Sequence, residues 1–242
     1  MKIFSAEQIK NRDAFTITNE PVSSIDLMER AAKACTDWLT TQFDNTNYFK
    51  IFCGKGNNGG DGLAIARLLL QQKFPVSVYV ADTNSKSSND FQTNLQQLKS
   101  ISSEVYFLED PEAFPKVEKN EIIIDALLGT GLNKKPSGIF QKLIAHLNSS
   151  GATIIAVDIP SGLYTDKSSK GNECIRSRYT LSFQQQKLAF LLPENEPLFG
   201  QVIVLDIQLS KEYYINEKST FELVDKDFIG QIYVPRKAFA NK

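Results

Sequence analysis

The chain has 242 residues, 42% of them hydrophobic and 23% charged, with 27 basic against 28 acidic side chains. That length suits one substantial domain with a full core, and a net charge of −1 gives no electrostatic footprint for nucleic acid or an anionic membrane surface. No apolar run approaches the ~20 residues of a membrane span. Charge interrupts the N-terminal residues before a secretory core can form, and Cys35, Cys53 and Cys174 lie too far apart for a disulfide framework or a metal knuckle, so the expected location is the cytoplasm.

Two helices are expected first. Ser5-Ala6-Glu7-Gln8 reads as a capping start, and that helix closes before Asn19-Glu20-Pro21. From Ser24, the residues Met28, Ala31, Ala32, Cys35, Trp38, Leu39 and Phe43 recur at helical spacing, which makes Trp38 a core or subunit-contact residue. Strands and helices then alternate. Apolar, β-rich runs cover 48–53, 76–81, 105–108, 121–127, 153–159, 179–183 and 201–207; helical patterns cover 62–72, 90–101 and 138–148. This alternation predicts right-handed βαβ crossovers and a three-layer α/β/α sandwich around a mainly parallel, Rossmann-like sheet. The expected domain spans 1–234. Residues 164–174 read as a polar loop, with Asp166, Lys167 and Lys170 solvated, and 235–242 as a tail or linker. His146, the only histidine, reads as a surface helix residue, which removes His-centred mechanisms.

Residues 49–63, FKIFCGKGNNGGDGL, carry the densest signal. A strand, a Gly-rich turn and a helix bring bare backbone N–H groups close to a ligand. Gly54, Gly56 and Gly59 also satisfy the dinucleotide pattern G-x-G-x-x-G, with Asp82 at the end of the next strand in the ribose-binding position. Two details oppose that reading. Asp61, expected in the first helical turn, would repel a pyrophosphate, and the Asn57-Asn58 amides offer oxygens that suit a cation or a hydroxyl-rich ligand. Strand 121–127 leads through Asp125 to Gly129-Thr130-Gly131-Leu132-Asn133-Lys134-Lys135, and strand 153–159 ends in Asp158-Ile159-Pro160-Ser161-Gly162. Ligands of open parallel sheets bind at the carboxyl ends of the strands, so three loops and three acids, Asp61, Asp125 and Asp158, are expected at one edge. Mutual repulsion there calls for a cation or a shared proton. The oxygen donors suit an alkali or alkaline-earth ion rather than zinc.

The motifs CGKGNNGGDGL (53–63), IDALLGTGL (124–132) and VDIPSGL (157–163), followed by TLSFQQQKLAFLLPEN (180–195), resemble the NAD(P)H-hydrate epimerases, the YjeF N-terminal domain family. The resemblance covers residues 1–210. It implies a homodimeric isomerase that interconverts the R and S forms of hydrated NADH and NADPH at C6 of the nicotinamide ring. Carried over residue by residue, it implies substrate binding by Asn57, Asn58, Gly59, Gly60 and Asp61, by Gly129, Thr130, Gly131, Leu132, Asn133, Lys134 and Lys135, and by Asp158. It implies potassium ligation by Asn58, Asp125 and Ser161. Asp158 is the candidate general acid/base, Asp61 is expected to cap its helix or meet the ligand, and Lys187 receives no catalytic role. The tail resembles the junction into an ADP/ATP-dependent hydrate dehydratase domain. Two other readings stand beside this one: an NAD(P)-dependent oxidoreductase using Asp82, and a non-catalytic nucleotide-binding scaffold.

Overall fold

The computed structural model describes residues 1–82, 86–102 and 104–234; the tail expected from 235 onward lies outside them. In chain order, β1 (Lys2–Ile3), α1 (Ala6–Asn19) and α2 (Ser24–Gln42) lead into β2 (Phe49–Cys53), α3 (Asn57–Gln71), β3 (Val76–Ala81), α4 (Asn89–Lys99) and β4 (Val105–Leu108). The second half runs through β5 (Ile122–Ala126), α5 (Gly138–Ser149), β6 (Thr153–Val157), β7 (Tyr179–Phe183), α6 (Glu196–Phe199) and β8 (Gln201–Leu205). It closes with α7 (Lys211–Asn216), β9 (Phe221–Glu222) and α8 (Lys226–Ile232).

Seven strands form one parallel sheet in the order β4-β3-β2-β5-β6-β7-β8. The chain winds outward from β2 to β4, returns to pair β5 against β2, and continues to β8. The winding direction therefore reverses between β2 and β5, where open α/β sheets bind ligands. Side-chain alternation along the strands separates two cores. Phe49, Ile51, Cys53, Ile122 and Ile124 meet Ala32, Cys35 and Leu39 of α2 together with α3 and α4; Phe52 and Ile123 meet Leu143, Ile144 and Leu147 of α5. These are the three expected layers. Among the described residues no helix is long and apolar enough to cross a membrane.

The early helices follow their caps. Ser5 and Gln8 form the full capping box of α1, and Ser23 with Asp26 forms that of α2. Trp38 packs edge-on against Tyr179, ring centroids 5.1 Å apart, as a core contact. Several readings need correction. Strands β5, β6 and β8 stop at Ala126, Val157 and Leu205, short of the apolar runs that contain them, because Leu127, Ile159 and Ile207 are buried by loops instead of ladder pairing. Helix α3 starts at Asn57 rather than 62, so the Gly-rich segment is itself helical and Asp61 lies beyond its first turn. Gly56 occupies the N-cap with no side-chain bond, so Asp61 does not cap the helix. Asp166 is exposed but not idle: both carboxylate oxygens accept from Ala6 N at the start of α1 (3.1 and 2.9 Å). The C-terminal α7, β9 and α8 have no counterpart in the expected pattern. They return to the N-terminus, where β1 pairs antiparallel with β9 and Lys2 Nζ donates to the carbonyls of Tyr214, Ile215 and Glu217 at 2.8–2.9 Å.

Candidate active site

Glycine lets the strand-end loops interlock. A Cβ on Gly54 would lie 2.0 Å from Leu127 O, and one on Gly59 would lie 1.7 Å from Gly54 O. The first turn of α3 thus rests on the β2 turn, which rests on the β5 turn. On the far side, Gly129 packs against the Asn58 side chain, and Thr165 Oγ1 donates to Thr130 O at 3.1 Å. All three loops meet around one cavity of about 820 Å³, large enough for a nucleotide-sized ligand.

Most of the residues singled out in the sequence line that cavity: Asn57, Asn58, Asp61, the run Gly129 to Lys134, and Asp158. Gly59 and Gly60 stand behind the wall, against Gly54 and Met28, and shape it without lining it. Lys135 is exposed and lies outside the lining. Asp82 is held by Lys55, whose ammonium donates to its carboxylate at 2.5 Å. His146 is half-buried on α5, bonded to Pro115 O at 2.9 Å and tilted against Phe114, away from the cavity.

Asp125 sits inside β5, wholly buried, behind the lining rather than on it. Its carboxylate accepts from Ser161 N (2.8 Å), Ser161 Oγ (2.5 Å) and Leu127 N (3.2 Å). Burial raises its pKa to about 6 against the opposing pull of those bonds. Ser161 Oγ also accepts from Leu128 N at 2.8 Å, so this carboxylate–hydroxyl pair ties the β5 and β6 turns together. Asn58 is buried, yet neither its amide oxygen nor its amide nitrogen has a partner. A buried amide without partners is costly. The Asn58 amide oxygen, like the oxygens of Asp125 and Ser161, is a hard donor of the kind an alkali cation takes.

Asp158 leaves β6 with φ of +66°, a left-handed conformation that aspartate tolerates better than most residues. Its Oδ1 accepts from Lys187 Nζ at 2.7 Å and from Phe183 N at 3.2 Å. Lys187 is completely buried, and its other donors go to Ser182 Oγ and Phe183 O. Sequence reasoning gave this lysine no role. Its signal, a lone cation between three glutamines (184–186) and an apolar run (188–192), points to a buried partner only once β7 is known to lie beside β6. Asp61 is half-buried and pushed well above the usual carboxylate range, by burial first and then by Asp158, Asp13 and Asp90. The three cysteines are buried free thiols, raised by burial away from thiolate chemistry.

A parallel sheet with a carboxylate–ammonium pair, raised carboxyls and an unpartnered amide at its switch point has the layout of an open α/β enzyme. Residues 24–189 match the family described as YjeF-related protein N-terminus, and the chain belongs to that family. Proteins named NAD(P)H-hydrate epimerase from Limosilactobacillus fermentum and Leuconostoc citreum are 32% and 33% identical to it, over 84% and 95% of this chain and 95% and 99% of theirs. A bifunctional NAD(P)H-hydrate repair enzyme, Nnr, from Coxiella burnetii is 29% identical over 88% of this chain, which spans 42% of that longer protein. The crystal structure of the yeast protein ynu0 superposes with a TM-score of 0.76 at 19% identity, covering 94% of this chain and 98% of that one, and so shares the fold.

Proposed function

We propose that this chain is an NAD(P)H-hydrate epimerase that interconverts the R and S forms of hydrated NADH or NADPH at C6 of the nicotinamide ring. The observation that carries this reading is Asp158, paired with Lys187 at 2.7 Å on the wall of a nucleotide-sized cavity. C6 of the substrate carries both a hydroxyl and the ring nitrogen. Inverting it breaks one of those bonds and re-forms it on the other face, with proton transfer that a carboxyl group can supply. The α3 amides and the Gly129–Lys134 loop line the space for the dinucleotide. Asn58, Asp125 and Ser161 would hold a potassium ion, which supplies positive charge beside the phosphates and carboxylates; the unpartnered Asn58 amide supports this placement. The reading extends to a cytoplasmic homodimer. Buried free thiols accord with a reducing compartment, and apolar side chains exposed on both edge strands, Tyr106 and Phe107 on β4 and Val204 on β8, accord with a covered surface. The bifunctional relatives support a native context fused to a dehydratase domain.

A stereochemical assay tests the activity. Single epimers of hydrated NADH should interconvert with the wild-type chain, and Asp158→Asn, which keeps a residue tolerant of positive φ, should lose about 10²–10⁴-fold in rate while remaining folded. Near-wild-type turnover in that variant removes Asp158 from the chemistry. The ion has its own test. Crystals grown in potassium salts should show anomalous density among Asn58, Asp125 and Ser161, and an empty site in ligand-bound crystals would count against the cation.

A further inference from the structure

One group on the cavity wall has no part in that scheme. Asp13, on α1, lines the same cavity as Asp158 and Asp61, although α1 is remote in sequence from every strand-end motif. The charged groups around it are Lys10 and Arg12 on its own helix, Asp61 on α3, Asp158 at the end of β6 and Lys187 beyond β7. The two cations whose charge reaches Asp13, Arg12 and Lys187, are committed elsewhere. Arg12 donates to Gln185 Oε1 at 2.8 Å and to the carbonyls of Ser210 and Leu209 at 3.2 and 3.4 Å. Lys187 has three donors, and they go to Asp158, Ser182 Oγ and Phe183 O. Burial first, then the charge of Asp158, push the Asp13 carboxyl up to about 7. The cavity wall therefore carries two carboxyls in different conditions: Asp158 joined to an ammonium, and Asp13 with no hydrogen-bonded cation among the described residues.

We propose that Asp13 is a second acid–base carboxyl of this site, donating a proton to the substrate while Asp158 accepts one. The proposal rests on the epimerase reading and deepens it. In a ring-opening step the Asp158 carboxylate takes the C6 hydroxyl proton, and the freed electron pair forms C6=O. The C6–N1 bond breaks with its electrons on N1, which takes the proton of Asp13. Rotation about C5–C6 presents the opposite face of the carbonyl. N1 then attacks C6 and returns its proton to Asp13, while the C6 oxygen recovers the proton held on Asp158. Atoms, charge and oxidation state are unchanged over the cycle, as an epimerisation requires, and each carboxyl ends as it began. Separated charge conditions of this kind are how two carboxyls divide acid and base roles.

The test follows single epimers of hydrated NADH by NMR with wild type, Asp13→Asn and Asp13→Glu over roughly pH 5.5–9, with NADH binding measured by calorimetry. Asp13→Asn should lose about 10²-fold or more in kcat with KM within about threefold, and Asp13→Glu should recover part of the loss. Wild-type turnover should decline above about pH 7, and the residual rate of Asp13→Asn should lack that alkaline limb. Turnover of Asp13→Asn within about threefold of wild type, or a loss carried by KM alone, overturns the proposal. Should the Asn variant not fold, the Glu variant decides: a displaced alkaline limb supports the proposal and an unmoved one overturns it. An active wild type indifferent to Asp13 removes this proposal alone, whereas a wild type without epimerase activity removes the parent reading as well.

Discussion

At the scale of single residues, the cavity is assembled from groups that would be more stable apart. Asp13, Asp61 and Asp158 crowd one cavity, and the first two have no hydrogen-bonded cation among the described residues. For Asp13 the consequence for folding has a definite sign. Its native carboxyl titrates near 7, well above the ordinary 3.8, so between those values the native state binds more protons than the unfolded chain. Stability then falls as pH rises through that window, and the penalty is complete above it. Asp13→Asn lacks the penalty. Its melting temperature should exceed that of wild type at about pH 8, and the advantage should vanish by about pH 4. A constant difference across that range would show that the carboxyl is not perturbed in the folded protein. Such a variant, more stable and less active, is the pattern expected where function places charges against stability.

At the scale of elements, the decisive unit is the first turn of α3 and the two strand ends beneath it. Gly54 and Gly59 are glycines because backbone occupies the space of a side chain, whereas Gly131 faces open room, with no atom within 4 Å of an added Cβ. Gly59→Ala should therefore destabilise the domain by about 3 kcal/mol or more in urea denaturation, while Gly131→Ala should change stability by less than about 0.5 kcal/mol. Equal effects would mean that the loops are not interlocked as described. The same turn shows why the boundary of α3 was misplaced from sequence. Asn-Asn-Gly-Gly has poor helix propensity, but contacts with Gly54, Met28 and the β5 turn hold it helical. Tertiary packing overrides propensity there.

At the scale of the whole molecule, the winding reversal between β2 and β5 brings the ends of β2, β5 and β6 to one edge, and α1 closes the cavity from across it. The dinucleotide pattern of Gly54, Gly56 and Gly59 is real as a string, but Asp82 is engaged by Lys55, and the cavity extends toward β5 and β6 instead. The two ends of the described chain meet through β1 and β9. Lys2 donates there to three carbonyls near the end of α7, the negative pole of that short helix.

The sequence by itself determined the layer architecture, the seven strands of the sheet with three helical crossovers among their six connections, and the strand-end part of the cavity wall. Periodicity and Gly-rich strand ends are local properties, and a parallel sheet must place its strand ends together. Only the tertiary structure decided which carboxyls face one another. It brought Asp13 across from α1, withdrew Asp125 into β5 behind the wall, and joined Lys187 to Asp158. The reason is physical: burial and charge pairing depend on neighbours distant along the chain, so the protonation of a carboxyl cannot be read from its own segment.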